Sequence, residues 1–226
     1  MGVIVPAAGR GTRLGGGPKQ YQLIGGVPMV LRALRPFVSH PDVKQVVLVL
    51  PPEDAAAPPP FLSGLGAGLT IVGGGAERAH SVAAGLAALD PACAIVLVHD
   101  AARPFVERGV IDAVIAHARA GEGAVAAVPL SDTLKQAAPE DGSRVARTVS
   151  RDGLWRAHTP QGFPRAVLER AHAVARTTSS GLPTDDAALV EHTGVPVRLV
   201  ADSPRNLKVT TAADLALAEL IAERVE

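Results

Sequence analysis

The fold of this 226-residue chain is decided by residues 2–21, GVIVPAAGRGTRLGGGPKQY. The apolar run Gly2–Pro6 predicts a β-strand that is buried on both faces, and a glycine-rich turn follows it directly. In parallel α/β sheets, such a turn at the carboxyl end of the first strand binds nucleotides, because its backbone N–H groups can approach phosphate oxygens closely. Arg13 and Lys19 add two cations, so the loop suits the triphosphate of a nucleotide donor.

Three known phosphate-binding fingerprints do not fit this loop. A Walker A loop requires Gly-Lys-Ser/Thr, but Lys19 follows Pro18 and precedes Gln20. A dinucleotide fingerprint requires a third glycine where this chain has Leu14, and the other kinase signatures are absent from the sequence. At this point an ordinary surface turn with two solvated charges remains the alternative interpretation.

The rest of the chain alternates between apolar runs and amphipathic segments. The runs predict four further strands, at residues 43–50, 69–72, 94–98 and 124–128. The amphipathic segments predict helices at residues 28–38, 77–89, 110–118 and 212–224, the last of them starting with a capping box. Strands that are apolar on both faces and alternate with helices predict an α/β fold, with a mostly parallel sheet flanked by helices.

Two segments break this alternation. Residues 55–60 (AAAPPP) predict a surface loop, because proline disfavours both a helix interior and a central strand. Residues 131–158 are more polar and less regular, which predicts an extended arm or β-ribbon that leaves the core. No linker divides the chain, so we expect one domain over residues 1–226, with the arm as a subdomain.

Composition excludes several classes of function. Lys and Arg number 22 and Asp and Glu also number 22, so no bulk charge attracts nucleic acid or an anionic membrane. No apolar run approaches the roughly 18 residues that a membrane span needs. Cys93 is the only cysteine, which rules out an intrachain disulfide and favours a thiol packed in the core. These observations predict a cytoplasmic protein that binds neither nucleic acid nor membrane.

A carboxylate follows the strand predicted at residues 94–98, in VLVHDAARP (residues 96–104). Asp100 should lie at the same rim of the sheet as the glycine-rich loop. A carboxylate there can hold Mg²⁺, which combines few carboxylates with phosphate oxygens and water. Arg103 can face the same phosphates, whereas His99 is interpreted as a structural histidine, since the histidines show no zinc-binding spacing.

The order of these and further motifs along nearly the whole chain resembles the 2-C-methyl-D-erythritol 4-phosphate cytidylyltransferases of the non-mevalonate isoprenoid pathway. One such motif would be weak, but this many in order is specific. The matching segments are Pro6–Arg13, Pro18–Tyr21, Gly74–Leu86, Val98–Pro104, Asp132–Lys135, Ser150–Trp155, Thr159–Gln161, Thr184–Asp186 and Asn206–Thr210.

The resemblance implies a Rossmann-like nucleotidyltransferase fold and a homodimer in which the extended β-arm interlocks with a second subunit. The implied reaction transfers CMP from CTP to 2-C-methyl-D-erythritol 4-phosphate, with Mg²⁺ or another divalent cation as cofactor. The products are 4-diphosphocytidyl-2-C-methyl-D-erythritol and pyrophosphate. Since the attacking phosphate oxygen is already an anion, catalysis should depend on positioning and electrostatic stabilisation.

The resemblance also implies roles for individual residues. Four are implied to be catalytic: Arg13, Lys19, Lys208 and Arg151, the last reaching across from the partner subunit. The nucleotide is implied to contact Pro6, Ala7, Ala8, Gly9, Gly11, Gly75, Ser81, Ala101 and Arg103. The acceptor is implied to contact Thr133, Arg151, Thr159 and Thr184, and Asp100 to position the metal.

Two departures from the family pattern and three alternatives stay open on the sequence. Ala76 and Arg205 stand where relatives often carry an acidic residue. The alternatives are a cytidylyltransferase for ribitol 5-phosphate or another polyol phosphate, a nucleotidyltransferase that uses another nucleotide, and a nucleotide-binding regulatory module without catalysis. The joint presence of Arg13, Lys19, Asp100, Arg103 and Lys208 argues against the last, because a non-catalytic descendant should lose at least one charge.

Overall fold

The computed structural model describes residues 1–9, 18–66, 68–175 and 184–225. Its strands are β1 (Gly2–Pro6), β2 (Leu23–Ile24), β3 (Val27–Pro28), β4 (Gln45–Leu50), β5 (Leu69–Gly73), β6 (Ile95–Val98), β7 (Gly123–Pro129), β8 (Leu134–Ala138), β9 (Asp141–Val149), β10 (Trp155–Pro164) and β11 (Val197–Ala201). Its helices are α1 (Met29–Val38), α2 (Pro52–Ala56), α3 (Arg78–Ala88), α4 (Arg108–Arg119), α5 (Arg165–Ala175), α6 (Asp186–Glu191) and α7 (Ala212–Val225).

Within these residues, seven strands form the central sheet, in the order β11-β7-β10-β6-β1-β4-β5. Every neighbouring pair is parallel except the two that involve β10, which runs antiparallel to β6 and to β7. The five predicted strands are β1, β4, β5, β6 and β7, and the four predicted helices are α1, α3, α4 and α7. The predicted α/β class and the mostly parallel sheet are therefore confirmed.

Side chains that alternate along the central strands build a core on each face of the sheet. Val3 and Val5 of β1 pack with residues of α1 and α4, whereas Ile4 packs with residues of α3 and α5. Successive side chains of a strand point to opposite faces, so a strand that is apolar at every position requires helices on both sides. The predicted core thiol of Cys93 is also confirmed, since its side chain is buried.

The predicted loop at residues 55–60 is wrong at its start, because the helix α2 ends only at Ala56. Pro52 lies in the first turn of α2, where the missing N–H costs nothing and the fixed φ suits a helix. The strands β2, β3, β10 and β11 and the helix α5 had no prediction.

The polar segment at residues 131–158 contains a two-stranded antiparallel ribbon, β8 with β9, which is not hydrogen-bonded to the central sheet. Nearly all side chains of β9 are exposed. The C-terminal limit of the predicted arm needs correction, because residues 155–157 belong to β10 and pair with β7 of the central sheet. In the part of the chain that the structure describes, no helix is long and apolar enough to cross a membrane.

The predicted capping box at the start of α7 is confirmed. Asp214 Oδ2 accepts hydrogen bonds from Thr210 Oγ1 at 2.7 Å, Thr210 N at 2.8 Å and Thr211 N at 2.8 Å. The backbone N–H of Asp214 donates to Thr211 Oγ1 at 3.2 Å. The bond from the Thr210 hydroxyl is the largest cause that lowers the pKa of Asp214 to about 2.

We expect Asp214→Asn to lower the free energy of unfolding by about 1 kcal/mol at neutral pH, as loss of a helix cap does. Because the folded-state pKa lies below the ordinary value, this stabilisation is present above about pH 4 and is lost as pH falls towards 2. Urea unfolding of both proteins from pH 7 to pH 2 measures the difference, which should shrink over that window. Glu223→Gln, an exposed change in the same helix, is the control, and a difference that stays constant with pH would contradict the account.

Candidate active site

A cleft of about 220 Å³ opens at the carboxyl ends of β1 and β6. Carboxyl strand ends, loops and the start of α3 meet there, and this is the edge of the sheet at which many α/β proteins bind their ligands. The cleft is lined by Pro6, Ala7, Ala8, Gly9, Lys19, Gln20, Met29, Gly75, Ala76, Glu77, Arg78, Ser81, Asp100, Ala101, Ala102 and Lys208. Most of the residues that the resemblance implied for catalysis, the nucleotide and the metal are therefore together, including Lys19, Asp100 and Lys208. Two others, Gly11 and Arg13, lie outside the described residues.

The back of the cleft is formed by two loops that approach closely. Gly74 N donates to Leu50 O at 2.7 Å, and a Cβ atom at Gly74 would lie 2.5 Å from Ala8 Cβ, so only glycine fits there. Ser81 Oγ accepts a hydrogen bond from Gly75 N at 3.3 Å and donates one to Glu77 O at 3.3 Å. The buried Ser81 therefore shapes the loop in addition to lining the cleft.

Asp100 is the ionic centre of the cleft. Its Oδ1 atom lies 3.1 Å from Arg78 Nε, and its Oδ2 atom lies 2.7 Å from Lys208 Nζ. Burial alone would raise the pKa of Asp100, but the charges of Arg78 and Lys208 outweigh it and hold this pKa well below its ordinary value. Asp100 is therefore a carboxylate over the whole physiological pH range and can bind a cation.

Arg78 was missed as a site residue on the sequence, although it falls inside the motif Gly74–Leu86. Its Nη1 atom donates to Asp186 Oδ2 at 2.6 Å while its Nε atom donates to Asp100 Oδ1. Burial alone would lower the pKa of Arg78, but the charges of Asp186 and Asp100 outweigh burial and raise this pKa above its ordinary value. Its partners are 22 and 108 residues away in sequence, so no local spacing could indicate the contacts.

Arg103 does not line the cleft, in contrast to the predicted contact with nucleotide phosphates. Its side chain is buried, and its guanidinium donates to the backbone oxygens of Asn206 at 2.7 Å and Ala157 at 3.3 Å. Burial lowers the pKa of Arg103 from its ordinary value. In this arrangement Arg103 anchors the loop that leads into Lys208, which makes it a support for the site.

Thr159 and His99 form a hydrogen-bonded pair that holds the backbone of Asp100. The backbone N–H of Asp100 donates to Thr159 Oγ1 at 3.0 Å. His99 Nε2 lies 2.9 Å from the carbonyl oxygen of Arg103, which can only accept, so Nε2 carries the proton and Nδ1 accepts from Thr159 Oγ1 at 3.1 Å. Burial lowers the pKa of His99 to about 4, so the ring is neutral at pH 7. The predicted structural role of His99 is confirmed, and the hydroxyl of Thr159 is occupied inside the protein.

The other residues implied for the acceptor lie outside the cleft. Thr133 and Arg151 are exposed near the base of the ribbon, and Arg151 Nη1 donates to Ser131 O. Thr184 is exposed and precedes Asp185, whose side chain caps α6 by accepting from Ala188 N at 3.0 Å. Of the two departures, Ala76 lines the cleft and Arg205 is exposed.

The cleft suits a metal ion that arrives with its substrate. Among the residues that the structure describes, no cluster of three or more His, Cys, Asp or Glu side chains could hold a metal by itself. Mg²⁺ commonly binds one or two carboxylates together with substrate phosphates and water. The ionised Asp100 fits that pattern, whereas a structural zinc or a calcium cage does not fit.

Comparison with known proteins gives one consistent result. The family model described as 2-C-methyl-D-erythritol 4-phosphate cytidylyltransferase (IspD) matches residues 1–224. The enzyme of that name from Salinibacter ruber is 44% identical over 98% of this chain and 92% of its own length, and that from Streptomyces coelicolor is 44% identical over 98% and 84%. A bifunctional IspD/IspF enzyme from Rhodospirillum rubrum is 45% identical over 97% of this chain, which spans 56% of that protein.

Solved structures agree with the sequence relatives. The crystal structure of 2-C-methyl-D-erythritol 4-phosphate cytidylyltransferase from Thermus thermophilus has a TM-score of 0.80 and 38% identity, and the match covers 98% of each chain. The 4-diphosphocytidyl-2C-methyl-D-erythritol synthase from Anaerococcus prevotii has a TM-score of 0.85 and 26% identity, covering 99% of this chain and 98% of its own. The nucleotidyltransferase fold predicted from the motifs is therefore confirmed.

Proposed function

The chain belongs to the 2-C-methyl-D-erythritol 4-phosphate cytidylyltransferase family, and we propose that the cleft at the carboxyl ends of β1 and β6 is its catalytic centre. The enzyme transfers CMP from CTP to 2-C-methyl-D-erythritol 4-phosphate. The observation that carries the assignment of the site is the ionic centre, in which Asp100 lies between Arg78 and Lys208 in a cleft lined by glycine and alanine. Pyrophosphate release from CTP that requires both the acceptor and a divalent cation tests it.

The reaction joins two polyanions, and its main obstacle is charge. A phosphate oxygen of the acceptor forms a bond to the α-phosphorus of CTP, and the bond from that phosphorus to the bridging oxygen breaks, so pyrophosphate leaves with the electron pair. The nucleophile is already ionised at neutral pH, so no strong general base is needed. We assign Lys19, Lys208 and Arg13 to stabilise the charge around the α-phosphorus, since positioning and electrostatics dominate such transfers.

The nucleotide is proposed to lie over residues 6–9 with its triphosphate towards Lys19. Pro6, Ala7, Ala8 and Gly9 present a backbone without bulky side chains, which allows a ligand to approach closely. Gly75, Ser81 and Ala101 line the same cleft and are proposed to contact the nucleoside. Gly11 and Arg13 complete this assignment from the motif alone.

A divalent cation, Mg²⁺ in the first instance, is proposed to bind Asp100 together with phosphate oxygens of CTP. When bound, it would neutralise part of the triphosphate charge. The depressed pKa of Asp100 and the absence of other clustered ligands in the described residues both support a metal shared with the substrate. Arg78 and Lys208 would then flank the same carboxylate and orient it.

The acceptor is proposed to bind beside the ribbon, with Thr133, Thr159 and Thr184 near it and Arg151 supplied by a second subunit. Arg151 is exposed and does not line the cleft of its own chain. Apolar side chains are also exposed on the ribbon and just after it: Val145 of β9 at 56%, Leu154 before β10 at 40% and Trp155 at the start of β10 at 37%. A partner subunit would bury them. These features support one nucleotidyltransferase domain whose ribbon makes a homodimer. The cytoplasmic location stays a prediction.

Mixing two inactive variants tests the shared site. We expect Arg151→Ala and Lys208→Ala each to be nearly inactive as pure proteins. If Arg151 acts across the interface, subunits exchanged between them by dilution or mild denaturant form hybrids with one intact site. Random pairing makes about half of the dimers hybrids, so activity should recover towards roughly a quarter of the wild-type value, and co-mixing Lys208→Ala with itself is the control. No recovery after proven exchange would place Arg151 in its own chain's site.

A further inference from the structure

A chain of ionic contacts leaves the cleft through Arg78 and ends inside the helical layer. Lys208 and Arg78 both contact Asp100, and Arg78 Nη1 donates to Asp186 Oδ2 at 2.6 Å. Asp186 Oδ1 in turn lies 3.1 Å from His172 Nε2. The side chains of Asp186 and His172 are only 1% and 6% exposed, so α5 and α6 hold the inner end of the chain away from solvent.

If these contacts served stability alone, they would carry a large free-energy cost. Asp186 is a buried charge, and Arg78 Nη2 is a buried nitrogen that has no hydrogen-bond partner within the described residues. Well-packed apolar side chains often stabilise a protein as much as or more than a buried ion pair, and an unsatisfied buried donor has a cost of its own. A role in placing Arg78 explains why ionic groups occupy these positions.

At the cleft end of the chain, the orientation of the Asp100 carboxylate depends on the groups that contact its two oxygens. The terminal torsion of an aspartate is broad, so an unsupported Asp100 carboxylate could turn either oxygen towards Lys208. A donor on Oδ1 removes that freedom, and Arg78 Nε supplies it at 3.1 Å. The long side chain of Arg78 needs its own anchor to do this, and Asp186 is the second carboxylate in contact with it.

We propose that Asp186, held by His172, is a positioning residue that anchors Arg78, and that Arg78 thereby fixes the Asp100 carboxylate with Oδ2 directed to Lys208 and the cation. The proposal rests on the proposed role of Asp100 at the metal. Asp186 and His172 touch no reacting atom and act only through Arg78. Removing a residue that orients a metal ligand typically lowers metal affinity or activity by about 10–100-fold.

Asp186→Asn tests the proposal, because it keeps the shape of the side chain and removes its charge. We expect kcat to fall by about 10–100-fold and KM for the methylerythritol phosphate to stay within about twofold. Binding of Mn²⁺ in the presence of CTP, followed by the electron paramagnetic resonance of free Mn²⁺, should weaken by a similar factor to kcat. This second readout does not depend on turnover.

The chain contains a matched control for the charge change. Asp112 also lies between a histidine and an arginine, at 2.9 Å from His40 Nε2 and 3.5 Å from Arg108 Nε, and it does not line the cleft. Asp112→Asn should therefore leave kcat and Mn²⁺ binding unchanged. His172→Ala should weaken Mn²⁺ binding, and His172→Gln should restore it, because the glutamine Nε2 can donate to Asp186.

Each outcome decides a separate claim. If folded Asp186→Asn keeps wild-type kcat and Mn²⁺ binding while Asp100→Asn is inactive, the positioning proposal is overturned and the site assignment stands. If Asp100→Asn itself keeps full activity and Mn²⁺ binding, the role of Asp100 fails and the proposal fails with it. If Asp186→Asn does not fold, the His172 pair decides: restoration by glutamine supports the proposal, and equal Mn²⁺ binding in alanine, glutamine and wild-type proteins overturns it.

Discussion

Lys208→Ala is expected to lower kcat by about two to three orders of magnitude, which is the usual effect of removing one well-placed stabilising group from a transition state. Lys208 Nζ is 2.7 Å from Asp100 Oδ2 and its side chain is 44% exposed, so it can reach a ligand in the cleft. Because the lost interaction is with charge that develops at the α-phosphorus, the effect should fall on kcat more than on KM for CTP.

Steady-state kinetics with CTP and methylerythritol phosphate measure this effect, and thermal unfolding shows whether the variant is folded. Lys44→Ala, which removes an exposed lysine outside the cleft, is the control and should behave as wild type. A folded Lys208→Ala protein with kcat within about threefold of wild type would remove Lys208 from the mechanism, since the expected decrease in kcat is at least tenfold larger than that.

Asp100→Asn is expected to have an effect of similar size, about 10²–10³-fold in kcat, together with a higher Mg²⁺ requirement. The amide keeps the volume of the side chain, but it removes the negative charge that holds Arg78 and Lys208 and that would bind the cation. The asparagine NH₂ group would also take the place of one carboxylate oxygen, where it would face the cationic side chain of Arg78 or Lys208. Activity should therefore rise with Mg²⁺ over a higher concentration range than in the wild type.

The measurement is a Mg²⁺ titration of pyrophosphate release at saturating CTP and acceptor, compared with Mn²⁺ binding in the presence of CTP. Asp112→Asn again serves as the control for the loss of one carboxylate. An Asp100→Asn protein that loses activity but keeps the wild-type Mg²⁺ dependence would show that Asp100 acts only through Lys208 and Arg78, and it would sink the metal assignment.

The regular part of the fold was predictable because burial follows simple periodicity there. β1, β4 and β6 are apolar at nearly every position, and the sheet places each of them between two helical layers. β10 escaped prediction for the opposite reason, since its middle, His158 to Gln161, is polar yet buried. The hydrogen-bond partners of these side chains lie far away in sequence. His158 Nδ1, for example, is 2.7 Å from Asp202 Oδ2. The hydrophobic pattern of the sequence does not indicate such pairs.

The candidate site, like the fold, was predictable from the sequence only in part. Lys19, Asp100 and Lys208 were identified from motifs, and the structure brings them to one cleft because each follows an element that ends at the same rim. Arg103 was assigned to the nucleotide by its proximity to Asp100 in sequence, but its guanidinium turns into the protein and bonds to the backbone of Asn206. The direction of a long side chain depends on tertiary acceptors that sequence spacing does not define.

The central claim is cytidylyl transfer to methylerythritol phosphate, and acceptor choice tests it most directly. Pyrophosphate release from CTP and Mg²⁺ should be measured with 2-C-methyl-D-erythritol 4-phosphate and with ribitol 5-phosphate in parallel, each with and without EDTA. We expect turnover with the first acceptor, abolished by EDTA, and background release with the second. Preferred turnover of ribitol 5-phosphate, or pyrophosphate release that needs neither acceptor, would contradict the account.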